Sequence, residues 1–376
     1  APNSSTYLDR LYINDGEGVY TFNRDLLPSN YNSGSVVKPY DFDKDGDLDL
    51  FVGSRMIPWN YPEPASSHLL VNNNGKFSNY YDPNNSFKDL GLVTDGVWSD
   101  YDLDGDKDLF VVGEWMPLTL IKNENGIFKK QKLNDSCDEV YGWWYSIETS
   151  DLNGDGQQDL VLGNLGENYK YKASKEEPFE VFYDDFDENG VKDIVLAYYN
   201  YGIQFPLRGF SCSSQQIPEL KSKIKKYDLF ASLDVQDIYG EVNLENALRL
   251  QANSFKSTVL INKKGKFSNQ PLPYEAQLSS INDFIIDDFN EDGIKDILAV
   301  GNLYNAEIET TRNDAGNGIL LIGNGDGRFH SKLRKETGFY APSDAKKIIP
   351  ITINNKRGVL VGNNNDLLQY FETNNP

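Results

Sequence analysis

Five stretches of this chain place oxygen ligands at a spacing that makes a cation site. The first is Asp41-Phe-Asp-Lys-Asp-Gly-Asp-Leu-Asp49, and the same D-x-[DN]-x-[DN]-G-x-x-D pattern recurs at Asp100–Asp108, Asp151–Asp159, Asp185–Asp193 and Asp288–Asp296. Side-chain oxygens at positions 1, 3 and 5 of a tight loop converge on one point. Glycine at position 6 permits the sharp turn because it has no Cβ to forbid positive φ. Hard oxygen donors in a flexible loop suit Ca²⁺ better than a transition metal. The predicted ligands of the first loop are Asp41, Asp43, Asp45 and Asp49, with the Asp47 carbonyl at position 7. Those of the second are Asp100, Asp102, Asp104 and Asp108, with Asp106 at position 7. The third offers Asp151, Asn153, Asp155 and Asp159 with Gln157, and the fourth Asp185, Asp187, Asn189 and Asp193 with Val191. The fifth offers Asp288, Asn290, Asp292 and Asp296 with Ile294. The expectation is about five structural Ca²⁺ ions. An EF-hand would need a bidentate Glu at position 12 and flanking helices. Position 12 is Val52, Val111, Leu162, Leu196 and Ala299, and apolar β-type runs follow each loop.

Composition sets the boundaries. A chain of 376 residues can bury a large core. Its formal charge of −21 would fall to about −11 with five Ca²⁺ bound, so much of the acidity belongs to the loops. An acidic chain lacks the basic face that nucleic-acid phosphates require. No apolar run approaches the roughly 20 residues of a membrane span. No signal segment is evident, which predicts a mature chain or one excised from a longer protein. Weak calcium sites fill at extracellular ion levels, favouring an extracellular or outer-membrane surface location. Cys137 and Cys212 are the only cysteines, and the sequence leaves their pairing open.

Each loop joins two apolar runs, read here as strands A and B. A second repeating element is a hairpin around N-x-x-G-x-F, as in LLVNNNGKFSN (69–79), LTLIKNENGIFKK (118–130), TVLINKKGKFSN (258–269) and ILLIGNGDGRFHS (319–331), with a related hairpin at 11–22. Four antiparallel strands per unit, repeated every ~50–60 residues, predict an all-β fold, a β-propeller of four-stranded blades. Six A–B halves can be counted, near residues 41, 100, 151, 185, 288 and 350; a seventh blade is possible. The last, Ile348–Gly362, has lost its acids and should hold no metal. The short step from Asp151 to Asp185 predicts a blade with a reduced second half, and the long step to Asp288 an insertion. Residues 203–257 read as that insertion, mostly helical, with helical spacing over Ile217–Tyr227, Leu233–Ile238 and Leu244–Gln251. The expected domain is a single propeller spanning 1–376. Its ring would close by joining the N-terminal hairpin (about 7–23) to the C-terminal strands (about 346–371), which removes exposed edges.

These loops and hairpins resemble the FG-GAP/VCBS repeats of calcium-loop propellers such as integrin α heads. Phrases such as GSRMIPWNYPEP (53–64), VVGEWMPLTLIKNENG (111–126), YGWWYS (141–146), GNLGENYKYKASKEEP (163–178), YGIQFPLRGF (201–210) and GNLYNAEIETTRNDAGNGILL (301–321) look closest to the large VCBS-repeat proteins of Bacteroidetes related to the ASPIC/UnbV and cartilage acidic protein group. The resemblance covers nearly the whole chain. It implies secretion or surface display and a binding or scaffolding role.

The segments after the B strands should gather on the face opposite the loops. They carry Arg55, Trp59, Glu114, Trp115, Asn164, Asn168, Tyr199, Asn302, Tyr304, Glu307, Glu309 and Arg312. Stacking surfaces and bidentate donors suit a glycan or a protein partner; the same groups could instead pack together and seal the centre. Trp98 is expected in the core between blades, and strand alternation should bury one of Trp143 and Trp144. Only His68 and His330 are available, which disfavours a Ser-His-Asp or zinc-histidine centre. A polysaccharide-active enzyme, lyase or glycosidase, using Glu114, Glu307 or Glu309, is the alternative to a binding module.

Overall fold

The computed structural model describes residues 4–31, 33–306 and 310–373 and is mostly β. In chain order, a hairpin of β1 (Leu11–Asn14) and β2 (Tyr20–Asn23) precedes the first sheet: β3 (Ser33–Tyr40), β4 (Asp49–Met56), β5 (His68–Asn73) and β6 (Lys76–Asn79). The second sheet holds β7 (Leu92–Ser99), β8 (Asp108–Pro117), β9 (Thr119–Glu124) and β10 (Ile127–Gln131), and after the short helix α1 (Asp135–Asp138) it gains β11 (Tyr141–Trp143). Then come β12 (Ser146–Ser150) and β13 (Asp159–Gly163), followed by β14 (Phe179–Asp184), β15 (Asp193–Asn200) and β16 (Ile203–Pro206). Five short helices follow: α2 (Phe210–Gln216), α3 (Leu220–Lys223), α4 (Tyr227–Ser232), α5 (Val235–Tyr239) and α6 (Glu241–Asn246). The chain continues through β17 (Leu248–Ala252), β18 (Thr258–Lys263) and β19 (Lys266–Pro271). A fifth sheet holds β20 (Asp283–Asp287), β21 (Asp296–Val300), β22 (Ile319–Gly323) and β23 (Phe329–Lys332). A sixth holds β24 (Ala345–Ile353), β25 (Lys356–Asn363) and β26 (Gln369–Glu372).

All six A–B halves are antiparallel pairs, with each loop Asp at position 9 opening the B strand. Five sheets stand in a row, each handing a side chain from its inner strand to the next. Ser35 Oγ donates to Val93 O (2.6 Å), and Thr94 Oγ1 to Trp144 O (2.9 Å). Ser146 Oγ donates to Ile281 O (3.2 Å), and Asn282 Nδ2 to Ala345 O (2.7 Å). The order β3, β7, β12, β20, β24 therefore runs along the centre of the molecule, a propeller-like arrangement. Lys38, Asp95, Glu148, Asp283 and Lys347 project from these five strands, with Lys38 paired to Asp95 (3.0 Å) and Lys347 to Asp283 (2.9 Å). Between adjacent sheets lie apolar layers. Trp98, Phe51, Met116 and Phe128 fill the first gap, and Phe110, Trp144, Ile147 and Phe267 the second. Trp98 packs on Tyr40 with centroids 5.1 Å apart, as a core residue should. Trp144 is buried against Gly142, where a Cβ would come within 2.2 Å of the indole. Gly142→Ala is accordingly expected to lower the melting temperature measurably, since neither ring nor strand can yield that distance.

Three expectations change. The third sheet is ordered β12-β13-β18-β19, so the hairpin at 258–271 completes the blade of the third loop, and that blade is not reduced. Everything between β13 and β18 is a nested insertion containing the fourth loop. In its sheet, β16-β15-β14-β17, the A strand β14 is interior and not at the edge. This fourth sheet stands off the row. Phe179 of β14 stacks on Trp115 at the end of β8 (5.4 Å, 17°) and on Tyr171 (4.5 Å, 16°). The helices of the 203–257 segment occupy only 210–246; Leu248–Gln251, read as the end of a helix, is strand β17 paired with β14. Finally, β1 and β2 pair only with each other, and the sixth sheet has three strands among the described residues. The N-terminal hairpin therefore shares no ladder with the C-terminal strands. No disulfide joins Cys137 and Cys212.

Candidate functional site

Two sites emerge at opposite ends of the inner strands. At the end where the inner strands finish lie the first, second, third and fifth loops, while the fourth sits on the off-row sheet; all five fold as nested Asx turns. The position-1 carboxylates of Asp41, Asp100, Asp151, Asp185 and Asp288 each accept the N–H of the position-6 glycine, at 2.7–3.2 Å. The position-9 carboxylate ties the loop to its own blade. Asp49 accepts from Asn72 N (2.8 Å), Asp108 from Asn123 N (2.7 Å), Asp159 from Asn262 N (2.7 Å) and Asp296 from Gly323 N (2.9 Å). The backbone N–H at the start of the hairpin turn, from Asn72, Asn123 and Asn262 and from Gly323 in the fifth sheet, is thus part of the loop's support. Asp193 has the Phe186 N–H (3.1 Å) and no such hairpin partner, consistent with the off-row fourth sheet.

Carboxylate oxygens of Asp41, Asp43 and Asp49 lie within 4.8 Å of one another, as do those of Asp100, Asp102 and Asp104 and those of Asp185, Asp187 and Asp193. Within them Asp41 Oδ1, Asp47 Oδ1, Asp100 Oδ1, Asp108 Oδ2 and Asp187 Oδ1 are buried without a hydrogen-bond partner. Buried, unsatisfied carboxylate oxygens are costly unless a cation meets them. Burial, joined by repulsion from the neighbouring loop carboxylates, pushes the carboxyls of Asp49, Asp159 and Asp193 up to about 6 and that of Asp108 to about 7. The first, second and fourth loops could therefore hold a hard cation. In the third and fifth, Asn153 and Asn290 reduce the carboxylate count and donate to Asp155 and Asp292.

At the other end, where the inner strands begin and the B strands finish, a cavity of about 600 Å³ opens. Ser35, Thr94, Tyr145, Asn282 and Asp344 line it from five successive inner strands or the residues just before them, and Ile194 and Leu196 of β15 line it from the fourth sheet. Arg55 and Glu114 form its charged wall. The guanidinium donates to Glu114 Oε1 through Nε (2.7 Å), and Tyr61 OH donates to Oε2 (3.1 Å). Burial holds the phenols of Tyr61 and Tyr145 well above their usual range, so both remain protonated donors. Lys346 pairs with Asp344 (2.7 Å), which also accepts from Asn364 (3.1 Å). Among the described residues of the lining, the Trp143 indole N–H and Asn282 Oδ1 are buried without a partner. One is a donor and the other an acceptor.

Of the post-B residues singled out above, Arg55 and Glu114 line this cavity. Trp115 is buried, its face covered by Phe179 and Trp143. Asn164 and Asn302 are fully buried brackets: Asn302 holds Gly316, Pro342 and Ser343 by backbone contacts, and Asn164 holds Trp143 and Ser254. Asn168 is exposed and donates to Leu278 O. Tyr199 lies half-buried on β15, and Trp59 is exposed. Tyr304 donates to Pro342 O and carries Arg312 over its ring at 4.7 Å. Glu307 and Glu309 lie outside the described residues. No local signal marks Tyr61, Tyr145 or Asn282 as lining groups, because they sit in segments that precede the inner strands or leave the regular pattern.

Residues 100–162, from the second loop through β13, match a model of FG-GAP-like repeats. That match supports the FG-GAP family. No curated protein matches the chain. Among solved structures, it is similar to an Agrocybe aegerita lectin described for its specific recognition of non-reducing terminal N-acetylglucosamine, at 13% identity and a TM-score of 0.44, over 97% of this chain and 74% of that one. It is also similar to the V. cholerae biofilm matrix protein Bap1, at 10% identity and a TM-score of 0.37, over 94% of this chain and 72% of that one. Both likenesses are too low to argue from. Among the described residues no helix is long and apolar enough to cross a membrane.

Proposed function

We propose that this chain is a calcium-loaded β-propeller of the VCBS-repeat type, secreted or displayed at the outer-membrane surface, that binds a glycan or a protein partner through the central cavity. Calcium is structural in this reading: it satisfies the orphaned carboxylate oxygens of the first, second and fourth loops and fixes each A–B turn. The observation that carries the binding role is the cavity itself. It is of ligand size and walled by phenols, two ion pairs and asparagines, and among the described residues it keeps the Trp143 donor and the Asn282 acceptor unpaired. A polyhydroxylated sugar or a peptide backbone offers both complements.

A glycan array and a pull-down from surface extracts, both in Ca²⁺, identify the ligand. Ala306 lines the cavity, and Ala306→Phe fills it without removing a hydrogen bond. Loss of roughly tenfold or more in affinity, about 1.4 kcal/mol, at an unchanged melting temperature supports the assignment. Unchanged affinity moves the ligand to another surface. The enzyme alternative requires turnover of a polysaccharide that Glu114→Gln abolishes; Glu114 is already engaged by Arg55 and Tyr61, an arrangement that suits holding a group better than protonating one.

A further inference from the structure

The second loop differs from the other four in carrying its own cation. Lys122 is the residue before Asn123 in the hairpin of the second blade. The corresponding positions in the first, third and fifth blades are Val71, Ile261 and Ile322. The Lys122 ammonium is mostly buried and contacts Asp102 Oδ2 and Asp104 Oδ2, the latter at 2.8 Å, with the Tyr101 ring 5.6 Å away. These are the position-3 and position-5 carboxylates. A second ammonium arrives from the neighbouring blade: Lys44, at position 4 of the first loop, meets Asp106 at 2.6 Å. Asp106 is also fixed by the Asn125 N–H (3.0 Å). Two of the loop's five carboxylates are therefore matched by Lys122 and a third by Lys44. What remains unmet is Asp100 Oδ1 and Asp108 Oδ2, both buried. Among the described residues no lysine sits on the ligands of the first loop, nor on those of the fourth, where Lys192 turns away to Glu63 (2.5 Å).

We propose that Lys122 is an internal counter-ion of the second loop, which keeps its shape without calcium and takes up the ion more weakly than the first and fourth loops because the ammonium must first leave Asp102 and Asp104. An ammonium and a Ca²⁺ ion cannot share two carboxylate oxygens at contact distance, since like charges that close repel strongly in a partly buried site. Ion entry therefore requires the Lys122 side chain to swing out over Tyr101. The ion can meet Asp100 and Asp108 directly, but it completes its shell only by replacing two charge-assisted contacts.

This inference rests on the calcium reading of the loops, and the test separates the two. The intact chain is titrated with Ca²⁺ alone and the bound ions are counted by native mass spectrometry; melting is followed in EDTA and in Ca²⁺. Lys122→Met keeps the aliphatic stem and removes the charge. The expected result is one additional ion bound at the same free calcium, a site roughly tenfold or more tighter than in the unaltered chain, and lost again in Lys122→Met/Asp102→Asn. In EDTA, Lys122→Met should melt below the unaltered chain, and Ca²⁺ should close that gap. If the unaltered chain binds ions in other loops while Lys122→Met changes neither count nor melting, the inference is overturned and the calcium reading stands. If neither protein binds any ion, both fall.

Discussion

Removing calcium at neutral pH is expected to lower the melting temperature by on the order of 10 °C or more. An ion at 100 times its dissociation constant stabilises the folded chain by about 2.7 kcal/mol per site, and several loops contribute. The effect should depend on pH with a definite sign. In the ion-free protein, burial raises Asp49, Asp159 and Asp193 to about 6 and Asp108 to about 7, above the ordinary carboxylate range. The folded state then holds more protons than the unfolded one between pH ~4 and ~7, so ion-free stability falls as pH rises through that window. With calcium bound, the same carboxylates stay ionised and are matched by the ion, and binding releases protons. The gap between melting in Ca²⁺ and in EDTA should therefore be small near pH ~4.5 and large near pH ~7.5. Calorimetry across that range checks it, and a gap that is absent, or equal at both ends, removes calcium from the account of this fold.

The second large effect concerns Phe179. Its ring is fully buried and lies between Trp115 and Tyr171, near Trp143 and Phe255. Phe179→Ala leaves a cavity in a stack that rigid aromatic neighbours cannot collapse, at a cost of about 3–5 kcal/mol. The loss falls where the fourth sheet meets the second, so the fourth sheet should loosen before the row of five does. Limited proteolysis would then cut first within 203–257, and a ligand of the central cavity would bind less tightly, because Ile194 and Leu196 would no longer be held in its wall. Uniform cleavage across the chain would show that the stack does not govern how the fourth sheet docks.

The repeating parts of this molecule were legible because each carries chemistry that only one local structure satisfies. A D-x-D-x-D-G-x-x-D loop with an apolar run behind it has to be a turn between two strands, and all six A–B pairs formed. Trp98 went to the core as a residue of strand β7, whereas Trp144 lies between β11 and β12 and is buried in the second gap with its indole N–H on Met116 O. Assembly order was harder to read. The hairpin at 258–271 belongs to the third blade because Asn262 N–H reaches Asp159 across the fold, and nothing local to 258–271 distinguishes Asp159 from Asp193 as the acceptor. For the same reason the fourth loop looked like one more blade, although the interior position of β14 sends its sheet elsewhere. Asn164 and Asn302 looked like ligand groups by their placement after B strands; their amides are consumed by backbone groups that only the tertiary fold brings near.

The nesting of the fourth sheet inside the third has a consequence for synthesis. As the chain emerges, β12 and β13 pair early, but β18, the next strand of their ladder, begins only at Thr258, after the whole stretch from Gly163 has been made. At 5–20 residues per second that delay is roughly 5–20 s. Throughout it, β13 presents a bare edge of Leu160, Val161 and Leu162, a template for pairing with the wrong strand. The stretch that fills the interval is a sheet with its own helices, closed by the pairing of β14 with β17. By drawing its two ends together it brings β18 to that edge. The inserted module thus acts as a spacer whose synthesis and closure set how long the third blade stays open on the ribosome.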